Sequence, residues 1–325
     1  MIVLSFPEAR HLRLARRLQG MSGLAAVHRF PDGEVRVTLP PAVAGRDVVL
    51  VASLTPPDAC VLPVLFAAAT ARDLRARSVG LVAPYLPYMR QDCPFEPGQA
   101  VSARHFAKML SRGVDWLVTV DPHLHRIRSL SEVFTVPAKA VHAGPLLAGW
   151  IREHVPDPLI LGPDSESQQW AATVAALTGA PWAVFAKQRT GDRTVRLTLP
   201  DLRAHRGRQP VLVDDIIASG ATMTMAVRAL RRLRYPAPIC LAVHGLFAGD
   251  AFAGLQDAGA AAIVTTNTVR HPSNAIDITP LLTDAVDERL QLRATKPLKN
   301  VSSTPQTFFT RTSLPLDAHH DGGRT

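Results

Sequence analysis

The sequence predicts an α/β fold with mainly parallel sheets flanked by helices. Three observations carry this. Short apolar runs of strand character alternate with stretches whose apolar residues recur at helical spacing. Most of the apolar runs end in a polar cluster, the arrangement with which open α/β sheets collect ligands at strand carboxyl ends. The pattern begins again after about residue 140, so two α/β halves of similar size account for most of the 325 residues.

Taken in order, residues 9–18 have the spacing of a short helix with a basic face. In HRFPDGEVRVTLP (28–40), Asp32-Gly33 is a turn signal and EVRVTL alternates as a half-buried strand. VVLVASL (48–54) is a buried strand, and 58–76 fits a helix with Leu62, Leu65, Phe66 and Ala69 on one face. SVGLVAPYLPYMRQD (78–92) is a strand running into a proline-broken loop. A helix over 100–113 stops at Gly113, and DWLVTVDPH (115–123) is a strand ending in polar residues. In the second half, helices are expected over 144–154, 168–177, 250–258 and 279–290. Strands are expected at LILG (159–162), AVFAK (183–187), VLV (211–213), ICLAVHGLF (239–247) and AAIVTTNT (261–268). Residues 187–207 are charged and turn-rich, which suits a mobile loop or a small hairpin. The Ser-, Thr- and Pro-rich end after residue 292 reads as a disordered tail. The expected domains are 1–140 and 141–292, with a tail over 293–325.

Composition narrows the partners. Hydrophobic residues make up 47% of the chain, ample for buried cores, yet no apolar run reaches the ~18 residues of a membrane span. The N-terminal apolar stretch turns charged too soon for a signal peptide, which predicts a cytoplasmic protein. Cys60, Cys93 and Cys240 are too far apart for a disulfide framework or a zinc site. The net charge of +9 would suit nucleic acid or phosphorylated small molecules. With no basic stretch interleaved with aromatics, phosphorylated metabolites are the expected partners, with no nucleic acid and no membrane.

The most informative stretch is VLVDDIIASGAT (211–222). A buried strand delivers Asp214 and Asp215. The small-residue loop Ala218, Ser219, Gly220, Ala221 and Thr222 then opens onto a helix. Small residues let backbone N–H groups approach a phosphate at a helix N-terminus, where the dipole favours an anion. Two adjacent carboxylates can accept hydrogen bonds from sugar hydroxyls or help hold a divalent cation. Together these suit a ribose phosphate. Further polar clusters follow other strands: Arg90, Gln91 and Asp92; Asp121, His123 and His125; Asp164; Lys187 and Arg189. They offer carboxylates and imidazole for a magnesium ion and cations for phosphates, as phosphoryl transfer by positioning and charge neutralisation requires. No Walker A loop, G-x-G-x-x-G, G-x-S-x-G or H-E-x-x-H is present.

From about residue 28 to 290 the chain resembles the ribose-phosphate diphosphokinases, which make phosphoribosyl diphosphate (PRPP). FPDGE (30–34) is similar to the family's F-x-D-G-E, and PYLPYMRQD (84–92) to its P-Y-x-x-Y-x-R-Q-D. VDPHLHRI (120–127) is similar to its D-L-H segment, KQR (187–189) to its K-x-R, and 211–222 to the PRPP motif shared with phosphoribosyltransferases. The resemblance implies two phosphoribosyltransferase-like domains with the site between them. It implies Phe30, Asp32 and Glu34 at an ATP site, commonly across a subunit boundary of a homo-oligomer, with Arg90, Gln91 and Asp92 also lining ATP. His123 and Asp164 would hold Mg2+. Lys187 and Arg189, with His123, would act in catalysis, Asp214 and Asp215 would bind the ribose hydroxyls, and 218–222 the 5-phosphate. The implied reaction transfers the β,γ-diphosphate of ATP to the 1-hydroxyl of ribose 5-phosphate, releasing AMP. A phosphoribosyltransferase that uses PRPP, or a non-catalytic regulatory paralogue, are the alternatives. Departures fall at Ala218-Ser219, where many members carry Asp-Thr, at Ala221 in place of Gly, and at GPDSESQQW (162–170) in place of P-D-x-G-G.

Overall fold

The computed structural model describes residues 1–189, 195–198 and 201–294; at 187–189, 195–198 and 293–294 it describes the backbone alone. The expected tail thus lies outside the described residues, apart from the backbone of its first two. The strands of the first half are β1 (Ile2–Ser5), β2 (Met21–Leu24), β3 (Ala26–Arg29), β4 (Val35–Thr38), β5 (Asp47–Val51), β6 (Ser78–Ala83), β7 (Trp116–Val120) and β8 (Ala138–Val141). Those of the second are β9 (Pro158–Gly162), β10 (Trp182–Val184), β11 (Ala186–Arg189), β12 (Val195–Thr198), β13 (Gln209–Ile217), β14 (Ile239–Gly245), β15 (Ala262–Thr266) and β16 (Asn274–Ile276). The helices are α1 (Leu14–Arg17), α2 (Pro57–Asp73), α3 (Ser102–Gly113), α4 (Gly144–His154), α5 (Gln168–Thr178), α6 (Ala221–Arg232), α7 (Ala251–Asp257) and α8 (Thr279–Ala294).

Two sheets of six parallel strands organise the molecule, in the orders β2-β1-β5-β6-β7-β8 and β10-β9-β13-β14-β15-β16. Parallel sheets need cover on both faces, and their strands accordingly read as continuous apolar runs. In β5, Val48 and Leu50 pack with Val64 and Ala67 of α2 and Phe106 and Leu110 of α3. Val49 and Val51 face the other way, into a core that also holds Leu147 and Ile151 of α4 and Leu282 and Val286 of α8. Val211 and Val213 of β13 and Leu241 and Val243 of β14 enter that same core, so one apolar layer joins both sheets. The outer face of the second sheet packs Leu212, Cys240 and Ala242 on Met223, Val227 and Leu230 of α6 and Leu255 of α7. Burial pushes the Cys240 thiol up to about 12, which leaves it protonated and inert. Gly80 in β6 is obligatory, since a Cβ there would lie 2.0 Å from the Trp116 indole.

The structure differs from the sequence reading in detail. Instead of one helix over 9–18, a 3-10 turn (Pro7–Leu12) and α1 are separated at Arg13, whose φ of 49° breaks the helix. The strand expected to stop at Val213 continues to Ile217, so Asp214 and Asp215 lie inside β13. The charged stretch 187–207 contains the antiparallel hairpin β11–β12, and EVRVTL pairs back through β4 onto β3 in a second hairpin. No described helix is long and apolar enough to cross a membrane.

Candidate active site

A cavity of about 280 Å³ opens where the carboxyl ends of the two sheets meet. The second sheet supplies its floor. β13 carries Asp214 and Asp215 in register with β14, and the 218–222 loop leads into α6. Gly220 makes the turn at φ 68°, and a Cβ there would touch Ala251 at 3.4 Å. That conformation places the amino end of α6, with its unsatisfied N–H groups, at the cavity wall. Ala218 is fixed from behind, its carbonyl accepting the Ala248 N–H at 2.9 Å.

The first sheet supplies the opposite wall: Arg90, Asp92 and Phe95 after β6, and His123, His125 and Arg126 after β7. Asp92 accepts the Arg126 backbone N–H at 3.0 Å and its guanidinium at 2.9 Å. Burial works against an ionised Asp92, but these two bonds outweigh it and hold the carboxyl below its usual range. The Arg126 guanidinium also lies 5.5 Å from the ring centre of the exposed Phe95.

The two walls are tied by one short contact. His123 Nδ1 donates to Asp215 Oδ2 at 2.6 Å, with both side chains largely sheltered. Burial alone would raise Asp215, yet the His123 hydrogen bond and charge keep it below the ordinary carboxylate value. Its neighbour behaves oppositely: Asp214 is pushed well above that value, first by burial, then by Asp215 and Asp164. Behind the wall Asp121 caps α4, accepting the Ala143 N–H at 2.7 Å and pairing with His142 at 2.8 Å. Buried His244 spans the halves, with Nε2 at 3.3 Å from the Asp121 carbonyl and Nδ1 at 2.9 Å from Thr268 Oγ1.

Asp92, Asp164, Glu166, Asp214 and Asp215 line the cavity against the guanidinium groups of Arg90 and Arg126. A polyanionic phosphate would be repelled from such a surface unless a divalent cation accompanied it. The residues therefore fit a metal. His123, His125 and Glu166 offer ligand atoms all within 4.8 Å of one another.

Of the residues expected from the sequence, Arg90, Asp92, His123, Asp164, Asp214, Asp215 and 218–222 converge on the cavity. Gln91 is not among its lining residues; its amide bonds the Cys93 carbonyl and Gln99, bracing the 93–99 loop. Asp164 spends Oδ1 on the N–H groups of Glu166 and Ser167, capping the 3-10 turn Ser165–Ser167. Phe30, Asp32 and Glu34 sit at the exposed tip of the β3–β4 hairpin, outside this cavity, with Arg36 over the Phe30 ring at 5.8 Å. Lys187 and Arg189 lie on β11, and their side chains fall outside the described residues. Phe95 and Arg126 are additions that sequence reasoning missed; the one available signal was their closeness to the RQD and D-x-H segments. His125 belongs to a cluster that the sequence already offers as imidazole for a magnesium ion, and Glu166 lies in the divergent 162–170 segment.

Known proteins share this architecture. A family profile described as the N-terminal domain of ribose phosphate pyrophosphokinase matches residues 4–113, and one described as a phosphoribosyl transferase domain matches 132–251. A ribose-phosphate pyrophosphokinase of Halobacterium salinarum is 39% identical over 79% of this chain and 89% of its own length. One of Methanopyrus kandleri is 35% identical over 88% of this chain and 99% of its own. The crystal structure of phosphoribosylpyrophosphate synthetase from Mycobacterium smegmatis superposes with a TM-score of 0.77 at 26% identity, covering 90% of this chain and 99% of that one.

Proposed function

The chain belongs to the ribose-phosphate pyrophosphokinase family of enzymes, and on that premise we propose that it transfers the β,γ-diphosphate of ATP to the 1-hydroxyl of ribose 5-phosphate, releasing AMP and PRPP. The observation that carries this reading is the single cavity in which the 218–222 loop and the Asp214–Asp215 pair face Arg90 and His123. A sugar phosphate with a free diol fits the first set, and the phosphate chain of a nucleotide fits the second.

In this reading the backbone N–H groups at the start of α6, with Ser219 and Thr222, bind the 5-phosphate. Asp214 and Asp215 accept the ribose hydroxyls, and the His123 contact fixes the orientation of Asp215. Arg90 neutralises the nucleotide phosphates. Lys187 and Arg189, carried on the β11–β12 hairpin, supply positive charge as the diphosphate moves. Mg2+, when bound near His123 and Asp164, adds charge neutralisation. Phe30, Asp32 and Glu34 project from the β3–β4 hairpin into the nucleotide site of a neighbouring copy in a homo-oligomer. We place the enzyme in the cytoplasm, with its units dividing near residue 140.

The test is AMP release from ATP and Mg2+ with ribose 5-phosphate, run beside ribose 1-phosphate and other pentose phosphates. AMP and PRPP should form with ribose 5-phosphate. A folded protein that forms neither, or that instead consumes PRPP with a free nucleobase, removes the proposal.

A further inference from the structure

With the first-sheet wall read as the nucleotide side, the geometry points to Tyr88 and Asp58 as positioning residues for the nucleotide. The hydrogen bond between their side chains ties the loop that delivers Arg90 and Asp92 to the first turn of α2. Neither residue lines the cavity, so both act through what they hold in place.

The first observation is a backbone conformation. Tyr88 has a φ of 66°, in the left-handed region that glycine enters freely and a bulky residue enters only at a cost. A glycine would make this turn without strain, so the tyrosine is kept there by its side-chain contacts. Its hydroxyl donates to Asp58 Oδ1. Its ring packs on Phe106 of α3, with the ring centres 4.9 Å apart. Burial and then the Asp58 contact push the phenol up to about 12, so the hydroxyl stays a donor throughout the working pH range.

The second observation is what the turn carries. The Tyr88 carbonyl accepts the Gln91 N–H at 3.2 Å, which closes a tight turn beneath Arg90. The Gln91 carbonyl accepts the Ala103 N–H at the start of α3, also at 3.2 Å. Arg90 and Asp92 stand on either side of Gln91 and reach the cavity. The third observation is that the same turn of α2 grips a second element. The Ala59 carbonyl accepts the Arg29 guanidinium at 2.5 Å, and Arg29 ends β3 next to Phe30. Val27 and Val37 of the β3–β4 hairpin pack on the core that α2 covers. Asp58 and Ala59 thus hold, side by side, a chain's own nucleotide wall and the hairpin that it lends to a neighbouring copy.

The experiment combines hydrogen–deuterium exchange of the 84–92 segment, measured by mass spectrometry without substrates, with steady-state kinetics. Tyr88→Phe keeps the ring on Phe106 and removes only the hydroxyl. It should speed exchange in the segment, raise KM for ATP about five- to tenfold and leave KM for ribose 5-phosphate within about twofold. Asp58→Asn keeps an acceptor and should stay close to wild type, whereas Asp58→Ala should match Tyr88→Phe. The double variant Tyr88→Phe with Asp58→Ala should be no worse than either single one, because both break the same contact. Tyr88→Gly relieves the left-handed backbone and should still raise KM for ATP. The near-isosteric Tyr88→Phe and Asp58→Asn keep the test meaningful if Tyr88→Gly does not fold. Unchanged exchange in Tyr88→Phe, additive losses in the double variant, an equal rise in both KM values, or wild-type kinetics in Tyr88→Gly would overturn the assignment. The exchange measurement needs no turnover, so it decides whether Tyr88 and Asp58 hold the loop even if the wild-type chain forms no AMP.

Discussion

At the carboxyl end of the first sheet, the groups that reach the cavity are mostly nitrogen bases and cations: Arg90, His123, His125 and Arg126. At the carboxyl end of the second they are carboxylates and small residues: Asp164, Glu166, Asp214, Asp215 and the 218–222 loop. The two sheets share an architecture and an apolar layer. They diverge in the chemistry they present, and neither set handles a polyanion alone. The carboxylates repel it, and the cations of the first wall are partly consumed, Arg126 by Asp92. The 2.6 Å contact between His123 and Asp215 is where the complementary sets meet.

The strongest challenge to this division is Lys187, which lies on β11 in the carboxylate half and to which the proposed reaction assigns a positive charge at the site. Lys187→Ala should lower kcat by about 10²–10³-fold, the range for losing one preorganised charge contact to the transferring group. Ribose 5-phosphate affinity, followed by calorimetry, should change little. Near-normal turnover would return all the cationic work to the first sheet. Asp215→Asn probes the meeting point itself. It should cost about 10²-fold in kcat and also weaken ribose 5-phosphate binding, since it removes the hydroxyl acceptor of the proposed reaction and releases the His123 ring. A loss confined to KM would mean that the contact across the sheets does no more than bind sugar.

His244 tests whether the halves are coupled through their interior. Burial lowers its pKa, so it folds as the neutral base. Its contribution to stability is full above the unfolded value of about 6.5 and falls as pH drops through the folded one. His244→Asn should flatten the pH dependence of unfolding free energy below pH 6.5 by up to about 1.4 kcal/mol per pH unit, measured by denaturant titration. An unchanged slope would assign the acid sensitivity to other groups. The smallest effect is expected for Gly220→Ala. The left-handed backbone should cost about 1 kcal/mol in stability, and ribose 5-phosphate binding should weaken more than ATP binding.

Much of this was legible in the residues. The apolar runs at 48–51, 79–83 and 211–213 are central strands because both sheet faces are covered, and the polar clusters after them mark one end of each sheet. Short or weakly apolar strands were not legible. β8, AKAV, has no fully buried residue, and β2 is almost wholly exposed, so neither has a hydrophobic pattern to read. Asp214 and Asp215 gave a false strand end because charge normally interrupts a buried run, whereas here they sit in a parallel ladder with one side open to a cavity. Phe95 was invisible for a different reason. It stands in a proline-rich loop whose path is set by Gln91 and Gln99 side chains, contacts with no periodicity.

The inner layer has a consequence for how the protein is made. α8 packs on β7 and β8 of the first sheet, although it begins at Thr279, 138 residues after β8 ends at Val141 (279 − 141). On a ribosome adding about 5–20 residues per second, the β7–β8 part of one face of the first sheet waits roughly 7–30 s without its α8 cover, while α1 already covers the β1–β2 part. The N-terminal half is therefore finished only after the C-terminal half has been synthesised, and a nascent chain arrested before residue 279 should expose that face to chaperones.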